Sequence, residues 1–504
     1  MTALDDRTPV IVGVGEITHR TKEAAEGLEP IELMARAMRA AAQDSGAAAL
    51  LAGLDSLDVV CEYSWPYTDA PALLNARLGC SPARSVYGVT GGESPVRYIH
   101  EAALRIARGE SQVAAITGAE ARYTVDAAAK LGIPLDWTPR DDSVKLVRGT
   151  DICHPVAIQL GAAMPTTIYP FYENAALAHW GQTPRQAQDE SSRLWARYSE
   201  VAADNPYAWL RKPFTPEDIA RVDAANRLIA WPYTKHMVAN PLVNMGAAVL
   251  LTSVGHARAL GIPEDRWVYV WGGAAAREPR DYLQRDQYHR SHAQDLVMET
   301  VLAQVGGDAS AFEMLEVDSC FPIVPKMARR TLGVAPEARM TSTGGLSFFG
   351  APLNDYMTHA AAGLVRALRA APKGKAALLY GQGEYVTKHH ALVLGSSPPP
   401  QGLPKPDYDV QAAADARRGP VPPLVLQYAG AATLETFTVV YGRDGQPSQG
   451  IVIARTPAGE RLMARVEATD AASLKVLTDL DRSPVGCVGT VTAGADDLLN
   501  WSVS

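Results

Sequence analysis

The stretch from residue 89 to 120 limits the fold of this chain more than any other. It opens on a Gly91-Gly92 turn and runs into a segment whose apolar residues Ile99, Ala102, Ala103, Ile106 and Ala107 share one helical stripe. Gly109 has the residue type that ends a helix, and residues 113–117 (Val-Ala-Ala-Ile-Thr) then read as a buried strand. Turn, helix and strand in that order predict an α/β crossover. A turn that opens a helix collects backbone N–H groups and the positive end of the helix dipole at one point. Some enzymes seat a nucleophile there, and many proteins use the same geometry only to connect a sheet.

The rest of the chain repeats the pattern. Residues 10–15 (Val-Ile-Val-Gly-Val-Gly) form a short strand with a glycine turn, and an amphipathic helix follows at about 29–45. The run continues Val-Gly-Glu-Ile, so the Gly-x-Gly-x-x-Gly spacing of a dinucleotide fold is not met. Residues 57–61 give another strand. From about 126 to 231 the text turns helical and Pro-rich, with helices expected at 166–180 and 184–204. This reads as an insertion that walls a site over the sheet. Strand character returns at 244–253, 267–271, 314–317, 376–380 and 391–395, with a helix near 294–305, as a second copy of the first unit.

Residues 396–406 (Ser-Ser-Pro-Pro-Pro-Gln-Gly-Leu-Pro-Lys-Pro) are too poor in backbone donors for a strand or helix and are expected to act as a semi-rigid spacer. Beyond them, alternation at 432–441, a hairpin turn at 443–447 and short strands at 450–455, 461–466 and 485–491 predict a small antiparallel barrel similar to an OB-fold. The expected boundaries are 1–125 with 232–262 for the first half, 126–231 for the helical insertion, 263–395 for the second half, 396–420 for the linker and 421–504 for the barrel.

At 504 residues the chain holds several cores, and its net charge of -8 argues against a nucleic-acid surface. No apolar run reaches membrane-spanning length, and the N-terminal residues enter the first strand without a signal-peptide core, so a cytoplasmic protein is expected. The five cysteines are Cys61, Cys80, Cys153, Cys320 and Cys487. Their spacing suggests neither a metal site nor a disulfide framework.

Several stretches, in order, resemble the thiolase superfamily and its sterol-carrier-protein-type thiolases. They are the helix running on to Ile-Thr-Gly-Ala-Glu120, His179-Trp-Gly-Gln-Thr-Pro184, Asp204-Asn-Pro-Tyr-Ala208 and Asn244-Met-Gly-Ala-Ala248 with Leu251-Thr-Ser253. Glu316-Val-Asp-Ser-Cys-Phe321 and Ser342-Thr-Gly-Gly-Leu346 with Gly350-Ala-Pro-Leu353 follow. The resemblance covers about residues 8 to 395. It implies two β-α-β-α-β-α-β-β halves in five αβαβα layers, a helical loop domain, a site for a CoA thioester and no covalently bound cofactor. It also implies a nucleophilic cysteine, an activating histidine and a second cysteine, and this chain lacks all three. The nucleophile position falls on Gly92, the histidine of the Gly-His-Pro loop on Ala351, and the second cysteine within 379–384, where none occurs. The oxyanion-orienting histidine corresponds to Asp318. Such replacements resemble the thiolase-like proteins type 1, a branch with an additional C-terminal β-barrel and an association with monomers, so no ordinary thiolase activity is expected.

Candidate catalytic residues are Asp318, Tyr380, His389 and Glu93, and candidate substrate contacts are Gly91, Gly92, Ser94, Ala351, Cys320, Tyr356 and Gly381. Each has a plain structural alternative. Glu93 is an acid that a helix dipole would keep ionised, or simply a helix-start acid. Asp318 is a base or a cap for the following helix, and Cys320 a site thiol or a small buried hydrophobe. Tyr380, Glu384, Tyr385, His389 and His390 cluster where the second cysteine should be, and strand alternation lets at most one of the two histidines face the site. Asn354 and Asp355 supply polar contacts or helix caps. Lys235 and His236 meet CoA phosphates or only solvent. Three functions compete. They are carbon–carbon chemistry on an acyl-CoA of retro-aldol or Claisen type without an acyl-enzyme, non-catalytic acyl-CoA binding with the barrel holding a protein partner, and acyl transfer through a displaced Cys80 or Cys320.

Overall fold

The computed structural model describes residues 4–503. Its first half contains β1 (Pro9–Thr18), β2 (Ser56–Val59), β3 (Arg84–Tyr87) and β4 (Val113–Glu120). The inserted segment carries the small strands β5 (Leu228–Ala230) and β6 (Tyr233–Thr234), and β7 (Met245–Ser253) completes the half. The second half has β8 (Val268–Arg277), β9 (Phe312–Val317), β10 (Ala376–Gly383) and β11 (Lys388–Gly395). Strand order is β3-β2-β4-β7-β1 followed by β8-β11-β10-β9. In each half the first and last strands pair antiparallel and the inner strands parallel. The halves meet where Val10 pairs with Tyr269 and Ile11 with Val268.

Helices Ser94–Arg108 and Tyr356–Ala370 pack on each other and touch strands of both halves, forming the central layer. Helix Pro30–Ser45 covers β1, β4 and β7, and helix His292–Gln304 covers β8 and β11. The expected five layers of a thiolase fold are therefore present. The glycines of the Val-Gly-Val-Gly run serve this packing. A Cβ on Gly13 or Gly15 would stand 2.2 or 2.0 Å from the carbonyl oxygens of Ala41 and Ala37, so only glycine lets helix Pro30–Ser45 lie this close to β1.

The C-terminal domain comprises β12 (Gly430–Tyr441), β13 (Pro447–Arg455), β14 (Arg461–Glu467), β15 (Val488–Ala493) and β16 (Leu499–Val503). The order β13-β14-β16-β15-β12, closed by β12 on β13, makes a barrel filled by Phe437, Val439, Val452, Leu462 and Trp501. It is not wholly antiparallel as expected, because β14 and β16 run parallel. The insertion is also less separate than its sequence suggests, since Ala230 of β5 pairs with Val440 of β12. Likewise the linker is not all spacer. Its prolines thin out after Pro406, Asp409 bridges Ala275 of β8, and the proline-free Gln411–Arg417 forms a helix. Among the described residues no helix is long and apolar enough to cross a membrane.

Candidate functional site at the start of helix 94–108

The Gly91-Gly92 turn is held from the other half of the fold. The Gly91 N–H donates to Asn354 Oδ1 at 3.0 Å, and Asn354 Nδ2 donates to the Cys61 carbonyl at 2.8 Å, just past the end of β2. Asn354 thus ties the two halves together rather than capping a helix. A Cβ built on Gly92 would lie 2.5 Å from the Gln382 carbonyl oxygen and 3.8 Å from Asp318 Oδ2. Backbone from β10 thus occupies the space that a side chain at position 92 would need. The Gly92 N–H donates to no acceptor among the described residues, whereas the Glu93 N–H faces its own carboxyl. On Gly383 a Cβ would sit 3.1 Å from the Gly92 nitrogen, so that glycine keeps the N–H uncovered.

Glu93 does not behave as a solvated helix-start acid. Its carboxyl is buried, with Oε2 2.0 Å from the Cβ position of Gly383 and 2.4 Å from that of Gly91, and it makes no cap to its own helix. Burial outweighs the charges of Lys388 and Arg97 and raises the Glu93 carboxyl, against the pull of the helix dipole. Lys388 Nζ stands 4.0 Å from Glu93 Oε1, donates to the Thr90 carbonyl at 2.8 Å and pairs with Glu384 at 3.0 Å. Glu384 in turn holds Arg280 at 2.6 Å. Ser94 is buried at the first helical position.

Asp318 follows β9. It does not cap helix Ile323–Leu332, which starts at Pro322 without a side-chain cap. Its Oδ1 accepts from the Cys320 N–H at 3.1 Å, and its own N–H is fixed to the Tyr380 carbonyl at 2.9 Å. Burial pushes the Asp318 carboxyl up to about 6. Cys320 Sγ meets Gln382 Nε2 at 3.1 Å, and burial followed by the Asp318 charge raises its thiol well above the usual range. Gln382 also donates to Tyr169 OH at 2.7 Å, and Tyr169 stacks on Phe321 with ring centres 4.4 Å apart. Sequence reasoning missed Gln382 and Tyr169. The only signal was that Gln382 lies in the stretch where a catalytic cysteine was sought.

Other expected site residues are spread around this cluster. Gly381 and Gly383 face Glu93, so Tyr380 points to the opposite side of β10. There Tyr380 OH bonds His389 Nδ1 at 2.7 Å and accepts from Gln294 of helix His292–Gln304 at 2.9 Å. Burial lowers His389 to about 3, which keeps its ring neutral. His390 faces the central layer and bonds His100 at 2.9 Å. A Cβ on Gly381 would meet Glu93 Cα, Met357 and Val96 at 3.0 Å. Ala351 is buried, its N–H bonded to Asn240 at 2.9 Å, while Tyr356 bonds Thr343 and Glu316 at 2.6 and 2.8 Å. Asp355 is buried against Gly118 of β4 and does not cap its helix. Tyr385 OH bonds the Ala163 carbonyl at 3.0 Å. Lys235 is exposed, and the His236 ring lies on Phe214, 4.7 Å between centres. Cys80 sits by Asn75 beyond helix Ala70–Leu78, away from the turn. Among the described residues no group of three or more His, Cys, Asp or Glu side chains is arranged to hold a metal ion.

Comparison with known proteins sets this geometry in a family. Residues 409–496 match the thiolase-like protein type 1 additional C-terminal domain. Among solved structures, a monomeric SCP2-thiolase like protein type 1 from Mycobacterium smegmatis is similar over 99% of this chain and 100% of its own, with 30% identity and a TM-score of 0.82. The Ltp2-ChsH2(DUF35) aldolase covers 77% of this chain and 98% of its own at 19% identity and a TM-score of 0.60. The dimeric peroxisomal thiolase of Saccharomyces cerevisiae covers 78% and 98% at 12% identity and a TM-score of 0.58. A comparison with curated proteins gives no match. The last two structures share the fold alone, whereas the first spans the thiolase halves and the barrel together, and the chain belongs to the SCP2-thiolase-like proteins type 1 of the thiolase superfamily.

Proposed function

We propose that this protein binds an acyl-CoA thioester at the Gly91-Gly92 turn and makes or breaks a carbon–carbon bond on it by acid–base chemistry of the retro-aldol type, without an acyl-enzyme. The observation that carries this reading is Asp318. Its Oδ2 lies 3.8 Å from where a side chain on Gly92 would begin, and its carboxyl, pushed up to about 6, is ionised at neutral pH yet basic enough to take a proton. In the cleavage direction Asp318 takes the β-hydroxyl proton, the bond between the α- and β-carbons breaks, and a carbonyl compound leaves. The electron pair passes to the thioester enolate, whose oxygen the Gly92 N–H stabilises, and a proton returned to the α-carbon completes the turnover.

Acyl transfer is disfavoured, because burial keeps the Cys320 thiol protonated and Cys80 is not at the turn. The barrel supports the aldol reading. One neighbour of similar fold is an aldolase with a DUF35 component, and here a barrel is fused in cis. It rests on helix Pro165–His179, where Thr436 Oγ1 bonds the Phe171 carbonyl at 2.5 Å and Asn174 bonds the Phe437 carbonyl at 2.8 Å. The same helix carries Tyr169 to Gln382.

A specific observation favours a second reading, non-catalytic binding with the barrel as a partner surface. The Gln382 carbonyl and the Glu93, Lys388, Glu384 and Arg280 cluster fill the nucleophile seat. β-Hydroxyacyl-CoA compounds of graded size separate the two. Aldehyde or ketone release that D318N abolishes supports the first, and saturable calorimetric binding without turnover across the series supports the second.

A further inference from the structure

The cleavage proposed above leaves one proton without a donor. Asp318 takes the β-hydroxyl proton, and the enolate still needs one at its α-carbon. The acid that supplies it must reach an enolate whose oxygen is held at the Gly92 N–H. Glu93 is placed for this. The Cβ position of Gly383 is 2.0 Å from Glu93 Oε2 and 3.1 Å from the Gly92 nitrogen, so the carboxyl and the N–H lie against the same face of one residue. Asp318 Oδ2 approaches a different point, the Cβ position of Gly92, from 3.8 Å. Glu93 Oε2 is buried and has no hydrogen-bond partner among the described residues, a polar atom that packing alone does not account for. Gly92 beside it is only half-buried, which leaves the turn open to a ligand. The other acidic protons near the turn are engaged. Lys388 Nζ bonds the Thr90 carbonyl and Glu384. The Cys320 thiol lies with the Gln382 side chain, on the opposite face of β10 from Gly383. Tyr380 is bonded to His389. Burial outweighs Lys388 of β11 and Arg97 of the same helix, and Glu384 adds to it, so the form of Glu93 that carries a proton is favoured.

Resting on the acyl-CoA reading above, we infer that Glu93 is the acid that protonates the α-carbon of the enolate, and that its carboxylate removes the same proton in the reverse direction. The O–H bond of the Glu93 carboxyl breaks, the enolate electron pair forms the bond from the α-carbon to hydrogen, and the thioester carbonyl is restored. Lys388, 4.0 Å from Oε1, faces the carboxylate left behind. Asp318 then gives the hydroxyl proton to water and Glu93 takes one from it, so the cycle neither consumes nor releases protons. Two carboxyls divide the transfers, Asp318 acting on the hydroxyl and Glu93 on the carbon.

The test follows hydrogen exchange at the α-carbon, which needs no hydroxyl. Acetyl-CoA and propionyl-CoA, the thioester products of cleaving an unbranched and an α-methyl-branched substrate, are held with the full chain in heavy water and weighed over time. Cleavage of β-hydroxyacyl-CoA compounds and calorimetric binding are measured beside it. The parent protein exchanges α-hydrogen for deuterium. E93Q loses about a hundredfold or more of that rate, and its thermal midpoint and thioester binding show that it folds and still takes the ligand. D318N, which has no cleavage activity, retains the exchange, and this arm decides even where E93Q does not fold. An E93Q protein that exchanges as fast as the parent, or a D318N protein that loses exchange together with cleavage, overturns the role of Glu93 and spares the acyl-CoA reading. Binding by the parent without exchange or cleavage overturns it in favour of the non-catalytic reading. A parent protein that binds no acyl-CoA removes the acyl-CoA reading, and the role of Glu93 with it.

Discussion

Helices Ser94–Arg108 and Tyr356–Ala370 hold matching places in the two halves, and each is preceded by a buried acid whose carboxyl burial has raised. The company of the two acids differs. Glu93 has Lys388 from β11 at 4.0 Å, with Glu384 and Arg280 behind it. Asp355 meets Gly118 of β4, has His359 Nε2 at 3.7 Å, and feels the charges of Glu120 and Glu16. The repeated architecture therefore sets where the acid stands, and the strand opposite sets what it can do. On the reading proposed above, a neighbouring cation and the uncovered Gly92 N–H are what the first helix start offers an anion or thioester carbonyl. Its twin has no lysine or arginine paired with its acid among the described residues.

Breaking the link between the two starts should have the largest effect. Asn354→Ala leaves both the Gly91 N–H and the Cys61 carbonyl without their partner, and two such buried groups cost about 4 kcal/mol. Urea unfolding measures it, and acyl-CoA binding should be lost with it. A loss below about 1 kcal/mol would mean that the turn holds its shape without the second half.

Next in size is the pH dependence that separates the first start from the second. Folding raises Asp318 from its ordinary 3.8 to about 6. In that window the folded chain binds the proton and the unfolded chain does not, so stability falls as pH rises from about 4 to 6, by roughly 2–3 kcal/mol. Activity moves the other way, because the base works only when ionised, so kcat/KM should climb through pH 6. D318N should flatten the stability curve and abolish turnover. A kcat/KM profile level between pH 5 and 7 in the parent protein would remove Asp318 from the chemistry.

Much of this fold was legible in the sequence, and the part that was not has a physical cause. Local patterns, such as the stripe from Ile99 to Ala107 and the alternation of the barrel strands, reveal each element and the duplicated α/β unit. The absence of Cys at 92 and His at 351 was equally plain. What depends on the opposite strand was hidden. Nothing local says that Gly381 and Gly383 face Glu93, which turns Tyr380 away and makes the Gln382 carbonyl the neighbour of Gly92. Alternation foretold that His389 and His390 would part, yet both are spent on buried bonds, to Tyr380 and His100. Gly13 and Gly15 looked like a damaged nucleotide turn and are helix-packing positions.

A smaller difference comes from exchanging the acids themselves. Glu93→Gln and Asp355→Asn each remove a carboxyl that burial disfavours in its charged form, so each should relieve the loss of stability as pH rises above the ordinary carboxylate range. Asp355→Asn should relieve more, because Lys388 already offsets part of the Glu93 charge. Equal gains at pH 8 in chemical unfolding would show that Lys388 does nothing for Glu93.

The smallest effect belongs to the outer cation of the cluster. Arg280 is half exposed, so its contact with Glu384 is screened by water and Arg280→Ala should cost only about 0.5 kcal/mol. Its consequence for the comparison is larger than that figure. With Arg280 gone, Glu384 is left to Lys388 alone, which draws the ammonium away from Glu93 and makes the first start resemble the second. Thioester affinity should therefore fall more than stability does, and added salt, which screens the Arg280 contact, should narrow the gap between parent and variant. Equal changes in affinity and stability would instead assign Arg280 to the packing of the β10–β11 turn, with no part in what the open start binds.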